Sequence, residues 1–171
     1  MYRYFYLAYL FALAPAVVAG EFELKREVSQ FASLQDFDGA EEFQRYVDNY
    51  VQDCIDHTGG TTKTRWCFIV SGQLWDRELN KYYQQLQVLL TEAERASLLE
   101  SQRSWIKDRD RTIELNSSLL DWVYEDMNGT MFSAMRSGDA HAAITPMVKQ
   151  RALLLKRWAD LKRQGQMRSN W

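Results

Sequence analysis

Hydrophobic positions recur at helical spacing through residues 75–113 and predict two long helices. On the first, apolar side chains follow steps of four and three along one face: Trp75, Leu79, Tyr82, Leu86 and Leu89. On the second, one face carries Leu98, Gln102, Trp105, Arg109 and Ile113. Between them, Thr91 and Glu94 have the spacing of a capping box, which marks a new helix start. Because the connection is short, we expect the two helices to be antiparallel neighbours.

The same pattern places polar residues on the face between the two helices. If the turn is centred near Thr91, Asn80 lies level with Gln102, and Asp76 lies one helical turn from Arg109. We therefore predict an Asn80–Gln102 hydrogen bond and an Asp76–Arg109 ion pair. Such residues either fix the register of the two helices or form a binding surface.

The remaining pattern predicts further helices and an all-α fold. An apolar stripe predicts a helix over Ala40–Ile55: Phe43, Val47, Tyr50, Val51 and Cys54. The second long helix keeps its period to Met127 and stops at Asn128-Gly129, through Leu115, Leu119, Trp122 and Val123. After a looser segment broken at 137–139, Thr145-Pro146 starts a last helix. We expect a bundle of four to five helices around the antiparallel hairpin, with an N-terminal arm over 20–38, a helical domain over 39–165 and a frayed tail over 166–171.

The N-terminus indicates export. Residues 1–19 combine one positive charge at Arg3 with an apolar run of about 16 residues that closes on small side chains. This pattern is typical of a signal peptide cleaved after Ala19, because a membrane span needs about 20 apolar residues. The alternative is an uncleaved anchor. We expect a periplasmic or secreted protein without a stable membrane anchor.

The two cysteines, Cys54 and Cys67, flank a loop rich in Gly and Thr. In an exported protein an isolated pair favours a disulfide, which here joins the ends of two helices. A metal site built from Cys54, Asp56, His57 and Cys67 is the alternative, although no second close pair of ligands supports it. We expect no metal and no cofactor.

Charge and motifs narrow the function class. Removal of residues 1–19 takes away one positive charge, so the net charge falls from −2 to −3. Nucleic-acid binding needs a basic patch, and none is visible. The basic end of the last helix complements the helix dipole or docks on an anionic polymer or lipid. No catalytic motif is recognisable, and we expect a protein that is not an enzyme.

The two long helices also carry a family pattern. The patterns D-x-x-LN-x-x-Y-x-x-L and L-x-x-x-Q-x-x-W-x-x-x-RD resemble the domain of LprI-type lysozyme inhibitors. The residues that carry the resemblance are Asp76, Leu79, Asn80, Tyr83, Leu86, Leu98, Gln102, Trp105, Arg109 and Asp110. With the cysteines, the resemblance covers roughly half the chain. It implies a bacterial exported protein that binds a lysozyme or another peptidoglycan-degrading enzyme.

Two hypotheses follow from these observations. The first is a lysozyme inhibitor that blocks the sugar-binding cleft with the loop between the cysteines. Its candidate contact residues are Asp56, His57, Arg65 and Trp66, because the disulfide preorganises this loop. The second is a periplasmic accessory or immunity protein for another envelope protein or a cell-wall-degrading toxin. We expect the family-pattern residues to be structural.

Overall fold

The structure is a computed structural model that describes residues 26–169, with side chains to residue 167. This part of the chain is all-α and contains no strand, as the sequence predicts. Its four helices are α1 (Ala40–Thr58), α2 (Arg65–Leu89), α3 (Glu92–Val123) and α4 (Thr130–Ser169). The signal-peptide prediction for residues 1–19 lies outside the described residues. None of the described helices is long and apolar enough to cross a membrane.

The N-terminal arm is irregular and packs on α1 and α2. It forms two short 3-10 turns, Val28–Gln30 and Leu34–Asp36, and buries Phe31 and Leu34. The Phe31 ring meets the Tyr50 ring edge-on with centroids 4.7 Å apart. The described residues of the arm contain only these short turns and no longer helix.

Helix α1 runs antiparallel to α2 and is bonded to it at one end. Its predicted apolar stripe faces inward, where Phe43 meets Trp75 with centroids 5.0 Å apart. The helix continues three residues beyond Ile55 to Thr58 and is capped by Gly59, whose φ of 58° suits glycine. Cys54 and Cys67 form the predicted disulfide at this end.

The capping box at Thr91 and Glu94 is confirmed, but the hairpin has a different internal packing from the one predicted. Thr91 Oγ1 accepts from the Glu94 amide at 3.4 Å, and Glu94 Oε2 accepts from the Thr91 amide at 2.9 Å. Helices α2 and α3 are antiparallel, yet their backbones make few close contacts with each other. Instead, α4 packs along α2 and also against α3, so it is the common partner of both.

Helix α4 is continuous, and the predicted break at 137–139 and helix start at Thr145-Pro146 are wrong. Pro146 lies within the helix. A proline there removes one hydrogen bond at a cost of about 3 kcal/mol, which packing must offset. Gly138 has a packing role, because a Cβ added there would lie 3.2 Å from Phe68 Cζ. The helix also extends to Ser169, beyond the start of the predicted frayed tail.

The core lies between α1, α2 and α4, with Leu98 contributed by α3. Its largest fully buried side chains include Trp75, Phe43 and Leu74. Most of α3 lies at the edge of this core, which leaves much of its outer face in solvent.

Candidate partner-binding site

The four predicted contact residues lie together at one end of the bundle, where α1 ends and α2 begins. Asp56 is exposed and accepts a hydrogen bond from Gln52 at 2.9 Å. His57 is exposed, with Nδ1 2.8 Å from the Asp53 carbonyl oxygen. Arg65 is exposed, and its guanidinium carbon lies 5.3 Å from the ring centroid of half-buried Trp66.

The loop that carries these residues is braced from inside. The Cys54–Cys67 bond closes it, and the buried hydroxyl oxygens of Thr58 and Thr64 lie 2.8 Å apart. A 3-10 turn, Thr62–Thr64, leads into α2 and also contacts α4. The loop therefore presents exposed charges and an aromatic side chain on a fixed frame. The described residues contain no group of three or more His, Cys, Asp or Glu side chains that could hold a metal ion.

The predicted polar pairs between α2 and α3 are wrong. The Asn80 amide donates to the Asp76 carboxylate at 2.9 Å within α2. The Arg109 guanidinium donates to Asp110 at 2.7 Å within α3. Both predictions assumed direct contact between α2 and α3 along their length, whereas α4 is the helix that packs against both.

Gln102 binds a residue that the sequence reasoning missed, Arg151 of α4. The Arg151 guanidinium donates to Gln102 Oε1 at 3.0 Å and to Ser101 Oγ at 3.1 Å. Its carbon lies 5.9 Å from the Trp105 ring centroid and 5.7 Å from that of Trp158. Cation–π contact with two indoles stabilises a cation that has little water around it.

Burial lowers the pKa of Arg151, while the nearby Tyr83 opposes this shift. Arg151 makes no ion pair in the described part of the chain. Three family-pattern residues, Tyr83, Gln102 and Trp105, thus surround one buried guanidinium. Through these residues Arg151 joins α4 to both α2 and α3. A lone Arg on a mostly apolar helix face was the sequence signal for this site.

A second polar cluster ties the N-terminal arm to α2. Arg77 donates to the carbonyl oxygens of Val28, Phe31 and Ala32 at 2.7–3.0 Å. It also pairs with the fully buried Glu78 carboxylate at 2.8 Å. Glu78 accepts a further hydrogen bond from Ser33 at 3.2 Å. The Glu78 carboxylate therefore has its partners within the chain rather than in solvent.

An apolar cavity of about 580 Å³ lies at the opposite end, beside the α2–α3 turn. Its wall includes Leu86, Leu98 and Trp158, and the Glu94–Lys162 ion pair at 2.6 Å crosses its rim. Lys162 and the Thr91 cap hold the pKa of Glu94 at about 2. The rim charges neutralise each other, so the cavity offers no net charge for an ionic ligand.

The end of α3 exposes the apolar face whose helical period the sequence predicted. Trp122 is 76% exposed, Leu115 62% and Leu119 55%. Met131 and Met135, at the start of α4, are also exposed. The helical period of these residues was predicted correctly, but period alone does not say which faces are covered. In the sequence, this segment differs from the rest of the chain because no Lys or Arg lies between Arg111 and Arg136.

A family model described as lysozyme inhibitor LprI matches residues 54–155. No curated protein and no solved structure matches the chain significantly. The matched range starts at the first disulfide cysteine and includes the loop, the α2–α3 turn, Arg151 and its neighbours Gln102 and Trp105, while Trp158 lies just beyond it. Since this range is more than half of the chain, the protein belongs to the LprI family of lysozyme inhibitors.

Proposed function

We propose that this protein is exported and, without acting as an enzyme, binds and inhibits a lysozyme. The observation that carries the proposal is the LprI family match over residues 54–155, which contains the disulfide-braced loop and the buried Arg151. The mildly acidic chain, with a net charge of −2, suits a partner with a basic surface. A signal peptide that is removed after Ala19 would leave the protein free to meet the enzyme in the periplasm or outside the cell.

The proposed contact is the loop end that carries Asp56, His57, Arg65 and Trp66. Blocking a sugar-binding cleft requires an element that keeps its shape on binding, because ordering a loose loop costs affinity. The disulfide and the Thr58–Thr64 contact supply that rigidity. Arg65 over Trp66 offers a flat stacked surface, of the kind that anchors protein interfaces.

The test is a lysis assay with oxidised mature protein. The protein is added in increasing amounts to several classes of lysozyme acting on a cell-wall suspension, and the fall in turbidity is followed. Size-exclusion chromatography of each mixture is run in parallel. We expect stoichiometric inhibition of one lysozyme class and a co-eluting complex.

Surface variants then locate the contact. The double variant Asp56→Ala, Arg65→Ala removes two exposed charges from the loop, and we expect at least about tenfold weaker inhibition. The matched control, Glu41→Ala with Arg103→Ala, removes one exposed carboxylate and one exposed guanidinium elsewhere. Equal inhibition by both double variants would exclude the loop as the contact.

No inhibition and no complex with any lysozyme would overturn the inhibitor proposal. The accessory or immunity function would then take its place, and capture of an envelope protein or toxin from the source cell with purified protein would identify that partner.

A further inference from the structure

We infer that the outer face of α3 near its C-terminal end is a second docking surface, which receives a basic protein. This face, called the α3 tip face below, consists of Leu115, Leu119 and Trp122. The inference rests on the proposed function, since the basic protein it names is the inhibited lysozyme, and it extends the contact beyond the loop.

The three side chains lie on one side of the helix. Steps of four and three residues place Leu115, Leu119 and Trp122 above one another on an α-helix. The buried Leu120 and the α4-bonded Asp121 point elsewhere. Large apolar side chains scattered singly on a surface need no explanation, whereas a contiguous stripe with an exposed indole marks an interaction site. Trp is also the residue most often found as an energetic anchor in protein interfaces.

The tip face is held in place by polar contacts to α4 on its other side. Arg136 of α4 pairs with Asp121. The Tyr124 hydroxyl donates to Asp139 at 2.6 Å. These contacts fix the last turn of α3 against α4, so the indole of Trp122 projects from a backbone that is already ordered before any partner binds.

The charge of the chain around the α3 tip face indicates which kind of partner binds there. From residue 112 to residue 135 the chain carries four carboxylates and no Lys or Arg: Glu114, Asp121, Glu125 and Asp126. Arg136 neutralises Asp121, and the other three make no ion pair in the described residues. An apolar stripe in a segment that carries three unpaired, exposed carboxylates complements a basic surface with an apolar recess.

The same negative charge disfavours a second copy of this chain, an anionic lipid surface or a nucleic acid as the partner. In a two-fold dimer the α3 tip face of one copy would meet the same acidic surface of the other, and like charges would repel. Anionic phospholipid headgroups and nucleic-acid backbones are disfavoured for the same reason.

The tip face lies at the same end of the bundle as the disulfide-braced loop. Helices α2 and α4 run parallel, with Phe68 beside Gly138, and the 3-10 turn Thr62–Thr64 contacts α4. The start of α4, the end of α3 and the loop therefore share one end of the molecule. A single partner that meets the loop is positioned to meet the tip face as well.

The test compares variants in binding to the lysozyme identified by the lysis assay. Trp122→Ala removes the proposed anchor, and we expect the dissociation constant to rise at least about tenfold. The matched control is Val88→Ala, which truncates a side chain that is 84% exposed at the α2–α3 turn. Val88 lies roughly 45 Å from Trp122, because the 32 residues of α3 between the turn and the tip face rise about 1.5 Å each.

A charge test separates the carboxylates from the indole. Glu125→Lys with Asp126→Lys should slow association severalfold at low salt, and the difference from wild type should shrink as salt is added. The control, Glu100→Lys with Asp108→Lys, reverses the same number of exposed charges in the middle of α3.

The outcomes separate the two proposals. If wild type binds lysozyme and Trp122→Ala binds as tightly, the tip face is excluded while the inhibitor function stands. If wild type binds no lysozyme, both proposals fail. If sedimentation shows a dimer that Trp122→Ala abolishes while lysozyme binding is unchanged, the face serves a second copy and the inference is overturned.

Discussion

The middle of the bundle, called the body below, and its disulfide end differ in where their polar groups find partners. In the body, Glu78 and the guanidiniums of Arg77 and Arg151 find their partners within the chain. At the disulfide end, Trp122 and carboxylates such as Glu125 face solvent. Polar residues that satisfy one another hold a fold together, while exposed residues without partners are available for another molecule. Family-pattern residues such as Gln102 and Trp105 lie in the body, and we expect the pattern to report how the helices pack rather than what the protein binds.

The disulfide should make the largest single contribution to stability at the end of the bundle that carries the proposed contacts. Replacing Cys54 and Cys67 by Ser opens a loop with a sequence separation of 13 residues. The chain-entropy model gives a loss of about 3 kcal/mol in the free energy of unfolding. Urea denaturation of the double variant against wild type measures this loss.

The oxidised and reduced wild-type proteins provide the control, because reduction breaks the same bond without changing the sequence. A loss far below 3 kcal/mol would mean that the loop end is held by packing. In that case the disulfide end and the body would both be held by non-covalent contacts, and the contrast between them would not hold.

The Arg151 cluster should give the next largest effect. Arg151→Ala leaves the Gln102 amide oxygen without its donor and removes the contact with Trp105 and Trp158. Removal of a desolvated cation offsets part of this cost, so we expect a net loss of about 2 kcal/mol by denaturant unfolding.

Arg157→Ala is the matched control, because that residue is an exposed Arg on the same helix, and it should change stability by less than about 0.5 kcal/mol. Equal effects of the two variants would show that Arg151 does not fix α4. The stabilising role of Gln102 and Trp105 in the family pattern would then lose its support.

Tyr82 is one of two exceptions within the body: among the described residues, its buried hydroxyl and the Trp75 indole N–H have no hydrogen-bond partner. Burial, with the Glu78 carboxylate adding to it, raises the pKa of Tyr82 to about 12. An unfolded tyrosine ionises near pH 10, so between pH 10 and 12 the unfolded state loses its proton first. Neutral Tyr82 therefore contributes a decline in stability across that interval.

Tyr82→Phe should remove this decline and, at neutral pH, raise stability by up to about 1 kcal/mol, because an unsatisfied buried hydroxyl is lost. The measurement is the difference in unfolding free energy between variant and wild type from pH 7 to pH 12. A difference that stays constant above pH 10 would contradict the raised pKa, and a destabilised variant would show that the hydroxyl has a partner.

The helices, the capping box and the disulfide were predictable because they depend on local spacing. Two types of feature were not. The role of α4 between α2 and α3 depends on which helix faces meet, and periodicity shows the faces without naming their partners. The break expected at Gly138 is wrong because a glycine that admits the Phe68 ring looks, in sequence, like a glycine that ends a helix. Likewise, Leu119 and Trp122 have the period of a packed face and yet lie in solvent.

Substitution of Trp122 therefore tests the contrast between body and disulfide end most directly, and it has the smallest expected effect on stability. With 76% of its side chain in solvent, Trp122→Ala removes little buried surface and should change the free energy of unfolding by less than about 0.5 kcal/mol. Trp75→Ala, which empties a fully buried position, should cost about 3–5 kcal/mol in the same assay. If Trp122→Ala were strongly destabilising, the indole would belong to the packed body, and any loss of lysozyme binding would reflect unfolding. A stable variant that binds lysozyme poorly would separate the residues that hold the bundle together from those that meet its partner.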